Sequence, residues 1–250
     1  MSDLTGYCAV VTGASRGLGA GLVARFLECG LNVAACARTA PRPPATPALA
    51  ARMLARAADV TDPTAMADLA AAACERFGRI DLWINNAGLL EPIGPLHDND
   101  PAAFARHIEV NVVGVFHGSQ VFIRHLHQRG GEGVLVNISS GAARNAYAGW
   151  SAYCAGKAAV ERMSEAIALE EAGTGLRVHA VAPGIIDTEM QAMIRACTPE
   201  QFPRVQKFLD IKASNGFSSP AFIADRLLEL AFDPNHRCMQ VLQSLPPEQT

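Results

Sequence analysis

The chain is 250 residues long, carries a formal net charge of −3, and is 50% hydrophobic and 18% charged. That is enough for one large α/β core and too apolar for a disordered, solvating protein. Its Lys and Arg residues are scattered, so no basic field exists to hold a phosphate backbone, and nucleic acid is not an expected partner. No apolar run reaches the roughly 20 residues needed to cross a bilayer. Met1 to Val10 shows no basic n-region and no small-residue cleavage site. With an odd number of cysteines and no Cys-x-x-Cys pair, the thiols read as reduced, and the expectation is a cytoplasmic protein.

Short runs rich in Val, Ile, Ala and Cys alternate with longer stretches of helical period. This is the pattern of a single doubly wound (Rossmann) α/β domain with a parallel sheet covered by helices on both faces. Strands are expected over 8–11, 32–36, 53–57, 82–85, 134–138, 178–182 and 239–242.

After the first strand comes Thr12-Gly13-Ala14-Ser15-Arg16-Gly17-Leu18-Gly19. Its glycines can bring backbone N–H groups and a helix N-terminus against a pyrophosphate, which makes Gly13, Ser15, Arg16, Gly17, Leu18 and Gly19 candidate cofactor residues. The spacing is G-x-x-x-G-x-G, which alone also fits a tight turn with no ligand.

An Asp after the second strand would accept hydrogen bonds from a ribose 2′-OH. Here the chain has Ala37 and Arg38. An arginine fork pairs with a 2′-phosphate, and Arg16 is placed to join it, so NADP is expected over NAD. Prolines 41, 43, 44 and 47 leave room for no more than a short helical turn before the third strand. Asp59 then serves either as acceptor for the adenine amino group or as a helix cap. Thr61-Asp62-Pro63 and Asn99-Asp100-Pro101 open helices, and Gly30 and Gly130 close them.

Tyr153 and Lys157 stand four apart on a helix beginning near Trp150, on one face. An ammonium beside a phenol favours the phenolate and draws Tyr153 towards working range as an acid/base. A developing alkoxide then takes its proton from Tyr153 and a second hydrogen bond from Ser140, at the end of the run 136–140. Asn111, mid-helix, needs a partner if buried. His125 and His127 point to different sides of one helix, and no metal site is expected.

These motifs in this order resemble the short-chain dehydrogenase/reductase family over essentially the whole chain. The Gly-rich turn, Asn85-Asn86-Ala87-Gly88, Tyr153-x-x-x-Lys157 and Pro183-Gly184 carry the likeness. The resemblance implies that Ser140, thirteen positions before Tyr153, is the catalytic serine. It also implies that Asn111 holds a water linking Lys157 to bulk protons. Cofactor contacts are implied at Val60, Asn86, Ala87, Gly88, Tyr153, Lys157, Pro183, Gly184, Ile186 and Thr188, and a homodimer or homotetramer through the helices of 101–129 and 150–171. Residues 149–157, 168–171 and 187–191 are most similar to the sepiapterin reductase and benzil reductase branch. The ending Gln243 to Pro247 departs from the sepiapterin reductases.

Leu90, Arg144, Trp150, Ile185, Met190 and Met193 are the expected substrate pocket, with Ile194 packing the same lid. An apolar cleft of this kind favours a bulky aromatic or alicyclic ketone. The expected activity is NADPH-dependent reduction of a small-molecule ketone or diketone. A pterin or polyketide ketoreductase is the alternative within the family. An NADP(H) sensor without turnover is the alternative of another class, although a sensor has no need of Asn111, Ser140, Tyr153 and Lys157 together.

Overall fold

The apolar runs form seven parallel strands of one sheet in a computed structural model that describes residues 4–236 and 238–249. In chain order the strands are β1 (Cys8–Thr12), β2 (Asn32–Ala37), β3 (Met53–Ala57), β4 (Leu82–Asn85), β5 (Gly133–Ile138), β6 (Leu176–Ala182) and β7 (Leu242–Ser244). Their spatial order is β3-β2-β1-β4-β5-β6-β7. The order reverses between β1 and β4, and the carboxyl ends of strands at such a reversal open the crevice in which doubly wound sheets bind ligands.

The helices are α1 (Gly17–Glu28), α2 (Pro47–Ala50), α3 (Pro63–Phe77), α4 (Pro101–Ile108), α5 (Gly114–Arg129), α6 (Ser151–Glu170), α7 (Glu189–Arg195), α8 (Val205–Ala213) and α9 (Pro220–Phe232). The four-residue α2 is the short turn that the prolines allow. Asp62 and Asp100 cap α3 and α4 by accepting from the backbone N–H groups two and three residues on. Strand side chains alternate between two cores. Ala9, Val11, Val33 and Ala35 face α1 and α9, while Val10, Ala34 and Cys36 face α3, α5 and α6.

The last strand begins later than expected. Met239 is 80% exposed, the chain bends at Val241, and the Gln240 carbonyl accepts from the Gln243 side chain and from His179 Nδ1. Leu242 is therefore the residue that pairs with Ala180.

A π-helical turn, Glu109–Val113, joins α4 to α5 and widens the helix at Asn111. Beyond it α5 lies close on the sheet, because Gly118 has no side chain. A Cβ there would stand 2.1 Å from Asn85 Oδ1 and 2.7 Å from Trp83 Nε1. Asn85 is part of a buried polar seam. It donates to Asn137 Oδ1 (2.8 Å) and Ser119 Oγ (3.1 Å) and accepts from Trp83 Nε1 (2.9 Å), while Asn137 donates to Ser164 Oγ (2.9 Å). A G118A variant should lose about 1–3 kcal/mol through forced displacement of this packing. G141A, where the added methyl meets nothing within 4 Å, should be near neutral by denaturant melts. Equal stability of the two variants would contradict the packing described.

Candidate active site

The Gly-rich turn is stitched to the neighbouring strand ends before any ligand is considered. Thr12 Oγ1 accepts from the backbone N–H groups of Asn86 (3.0 Å) and Ala87 (3.1 Å), and Asn86 Nδ2 donates to the carbonyls of Thr12 (2.9 Å) and Gly13 (3.2 Å). Gly19 is small because the turn is tight: a Cβ would fall 2.4 Å from Gly13 O. Whereas Asp62, Asp100 and Ser219 cap their helices, α1 has no side-chain cap and no acid in its first turn. Ser15, Arg16 and Gly17 are exposed there. An uncapped, exposed helix N-terminus beside a glycine turn fits a pyrophosphate.

The residues around it divide. Arg38 is exposed and has no ion-pair partner among the described residues. Arg16 instead pairs with Glu189 at the start of α7, and Thr188 lies over Gly17, its Cγ2 3.2 Å from where a Cβ would stand. Asp59 does not cap α3. Its carboxylate accepts from Thr61 N (3.0 Å) and Thr61 Oγ1 (2.8 Å) and pairs with Arg106 (2.8 Å). Val60 is buried against Gly114, and its carbonyl accepts from His117 Nδ1. Leu18 is half-buried against the α1-side core, and Ile186 is buried in that core, pointing away from the pocket. Ala87 and Gly88 continue the turn after β4, and Pro183 and Gly184 that after β6.

The three groups expected to carry chemistry come together at the ends of β5 and α6. Tyr153 is 8% exposed and lies beside Ser140, whose Oγ accepts from Ala142 N (3.2 Å). Lys157 is 6% exposed, with Nζ donating to Ile138 O (2.7 Å) and lying 5.8 Å from the centre of the Tyr153 ring. Burial pushes the Tyr153 phenol above its ordinary value, with the neighbouring Ser140 hydroxyl acting the other way. The downward pull expected from Lys157 is not among the causes that set this shift, and that ammonium is turned to Ile138 O. Burial pushes Lys157 down to about 8. The phenol therefore holds its proton through the neutral range and is a donor.

Asn111 is 1% exposed and its side chain is fully engaged. Oδ1 accepts from Leu89 N (2.7 Å), and Nδ2 donates to Leu89 O (2.8 Å) and His107 Nε2 (2.7 Å).

Beside Tyr153 lies a separate apolar cluster. Trp150 stacks on Phe202 (4.4 Å between centroids, 12°) and meets Tyr153 edge-on (5.5 Å, 72°), with Leu90, Ile194 and Phe208 around them and Ile185 and Met190 at the rim. Met193 is half-buried outside this cluster. Arg144, also expected in the pocket, pairs with buried Glu161 (3.2 Å) and donates to Ser244 Oγ (3.0 Å). Phe202 and Phe208 went unread in the sequence because their stretch carries no motif. His107 and Glu161 carried one available signal, the helical spacing that places each four residues from Asn111 or Lys157.

With this geometry in place, the comparisons agree. The profile of the family described as short chain dehydrogenase matches residues 7–198, and the chain belongs to that family of oxidoreductases, which act on CH–OH or C=O groups with a nicotinamide nucleotide. Benzil reductase ((S)-benzoin forming) of Bacillus subtilis (strain 168) is 32% identical over 88% of this chain and 91% of its own. A short chain dehydrogenase from Burkholderia cenocepacia J2315, solved in complex with NADP, superposes with a TM-score of 0.76 at 27% identity, over 98% of both chains. The 3-ketoacyl-(acyl-carrier-protein) reductase from Brucella melitensis, solved with NADH, gives 0.80 at 27% identity, over 97% of both.

The buried ammonium has a measurable consequence. Between pH 8 and the ordinary lysine value of 10.5, the unfolded chain keeps a proton on Lys157 that the folded chain has released, so this group's contribution to stability rises with pH through that window. A K157M variant should therefore be more stable than wild type at pH 7, by about 2 kcal/mol after the lost bond to Ile138 O is counted. The gain should shrink as pH rises through 8 towards 10. Denaturant melts at pH 7 and pH 9.5 check both statements, and a less stable K157M at pH 7 would contradict them.

Proposed function

We propose that this protein is an NADPH-dependent carbonyl reductase that converts a bulky aromatic or alicyclic ketone or diketone to an alcohol. The observation that carries this reading is the placement of the buried Tyr153 phenol, beside Ser140, at the edge of the Trp150–Phe202 aromatic cluster. When bound, the nicotinamide nucleotide supplies the hydride. Tyr153 gives its proton to the carbonyl oxygen, Ser140 donates a second hydrogen bond to it, and the nearby Lys157 ammonium stabilises the phenolate left behind. The Asn111 side chain is engaged by Leu89 and His107, so it braces the loop beside Lys157 instead of holding a water itself. The apolar cluster favours substrates without many hydroxyls, which would lose water there without gaining partners. The likeness to a benzil reductase supports the same substrate class.

NADP is preferred because Arg38 stands exposed after β2 and Ala37 brings no acid. We further propose a homodimer through the outer faces of α5 and α6, where Phe116 (46% exposed) and Leu169 (81%) present apolar side chains.

NADPH should bind more tightly than NADH by about 1.5–3 kcal/mol, the worth of one charge-assisted contact. A37D should weaken NADPH more than NADH in fluorescence titrations. Y153F should abolish turnover and leave NADPH affinity nearly intact. In a panel of carbonyl compounds compared by kcat/KM, an aromatic diketone or polycyclic ketone should lead. A sugar or short polar aldehyde in first place would overturn the pocket reading, and equal affinity for the two nucleotides would overturn the cofactor reading.

A further inference from the structure

His107 is completely buried between α4 and α6, its ring edge-on to that of Tyr153 at 6.1 Å. Its hydrogen bonds leave no freedom in how the surrounding amides are oriented. The backbone of Leu89 uses both its N–H and its C=O on the Asn111 side chain, which fixes Oδ1 on the N–H and Nδ2 on the carbonyl. One Nδ2 hydrogen remains and points to His107 Nε2 at 2.7 Å, so Nε2 must present a lone pair. His107 Nδ1 faces Glu91 O at 2.7 Å, and a carbonyl only accepts, so Nδ1 carries the hydrogen. Only the neutral ring protonated at Nδ1 satisfies every group.

Helix α6 is shaped for this ring. At Gly156, beside Lys157, a Cβ would stand 3.0 Å from Nε2. Gly88, next to the clamped Leu89, borders both Asn111 Oδ1 (3.3 Å from a Cβ placed there) and Lys157 Nζ (3.8 Å).

We propose that His107 is a positioning residue: its Nε2 lone pair locks the Asn111 carboxamide, which in turn holds the Gly88–Leu89 backbone beside Lys157 and so sets the place of the pocket residue Leu90. The inference rests on the reductase reading of the site. Two consequences follow from the geometry. The acceptor, not the ring volume, is the essential feature, and protonation of His107 would set an N–H against the Asn111 N–H and release the clamp. The titratable groups facing the ring are Lys157 and Tyr153 on α6 and Glu91 on the loop, which offers its main-chain carbonyl. On the helix of His107 itself, Arg106 and Glu109 pair with each other, and Arg106 also pairs with Asp59. Burial, together with the Lys157 charge, keeps His107 below the ordinary histidine value and so in the neutral form.

The test compares H107F, H107N and H107Q. Gln places a carbonyl where Nε2 stands, Asn is too short to reach Asn111, and Phe keeps the ring without the lone pair. In H107F and H107N, kcat for ketone reduction should fall about 10- to 100-fold, as misplacement of a site by an ångström does, with KM for NADPH changed less than about threefold. H107Q should recover most of kcat. The Leu89 amide should exchange its hydrogen about tenfold faster in H107F and H107N, the equilibrium equivalent of one hydrogen bond, and near the wild-type rate in H107Q. The fall in wild-type kcat on the acid side should be absent in H107Q. The proposal is overturned if H107F keeps both wild-type kcat and Leu89 exchange, if H107Q is as impaired as H107F, or if H107Q retains the acid limb. If H107F does not fold, H107N against H107Q decides. If the wild-type enzyme reduces no ketone, the reductase reading fails. Leu89 exchange in H107N and H107Q then still decides whether His107 locks the loop.

Discussion

Asn85 and Asn137 occupy paired positions on β4 and β5, and their side chains meet at 2.8 Å in the fully buried middle of the sheet. Neither can be left unpaired there without a cost of about 1–3 kcal/mol. Each therefore reaches outward to one long helix, Asn85 to Ser119 on α5 and Asn137 to Ser164 on α6. Helix α6, which carries Tyr153 and Lys157, and helix α5, which follows the π-turn of Asn111, are thus fixed in rotation and height by directional bonds, which apolar packing alone would not impose. The same face of α5 is stripped to Gly118 so that the seam can close. Placing a phenol, a serine and an ammonium within reach of one carbonyl oxygen depends on that fixed frame.

Much of this was legible in the chain because it rests on local chemistry. The Val- and Ala-rich runs became strands where period and length said they should, and the Asp-Pro pairs opened helices with the caps they advertise. The glycine turn and the Tyr153–Lys157 spacing are local patterns too. What could not be read depends on neighbours distant in sequence. The polar use of Asn111 needs Leu89 beside it, the pairing of Arg144 needs Glu161 and Ser244, and the late start of β7 goes with the bend at Val241. The engagement of Asp59 by Arg106 belongs to the same class, since the partners are 47 positions apart.

The electrostatics of the site come mostly from burial. Tyr153 is driven up and Lys157 down by loss of water, so the phenol keeps its proton and the Lys157 ammonium gives up its proton more readily than in solution. Such a pair is poised to give a proton when negative charge develops on an oxygen beside it. The protein accepts a destabilised interior to obtain that poise, as active sites commonly do.

The Trp150–Phe202 stack has one more consequence. Trp150 sits immediately ahead of the first turn of α6, the helix that presents Tyr153, while Phe202 belongs to the segment that closes the pocket. On the proposed reading, one flat contact is thus both a wall for the substrate and a bearing surface for the helix of Tyr153. Remodelling the wall to admit a different shape would also tilt the proton donor. In a lineage descended from this protein, new substrate ranges would therefore arise more readily through Ile185 and Met190 at the rim than through the aromatic floor.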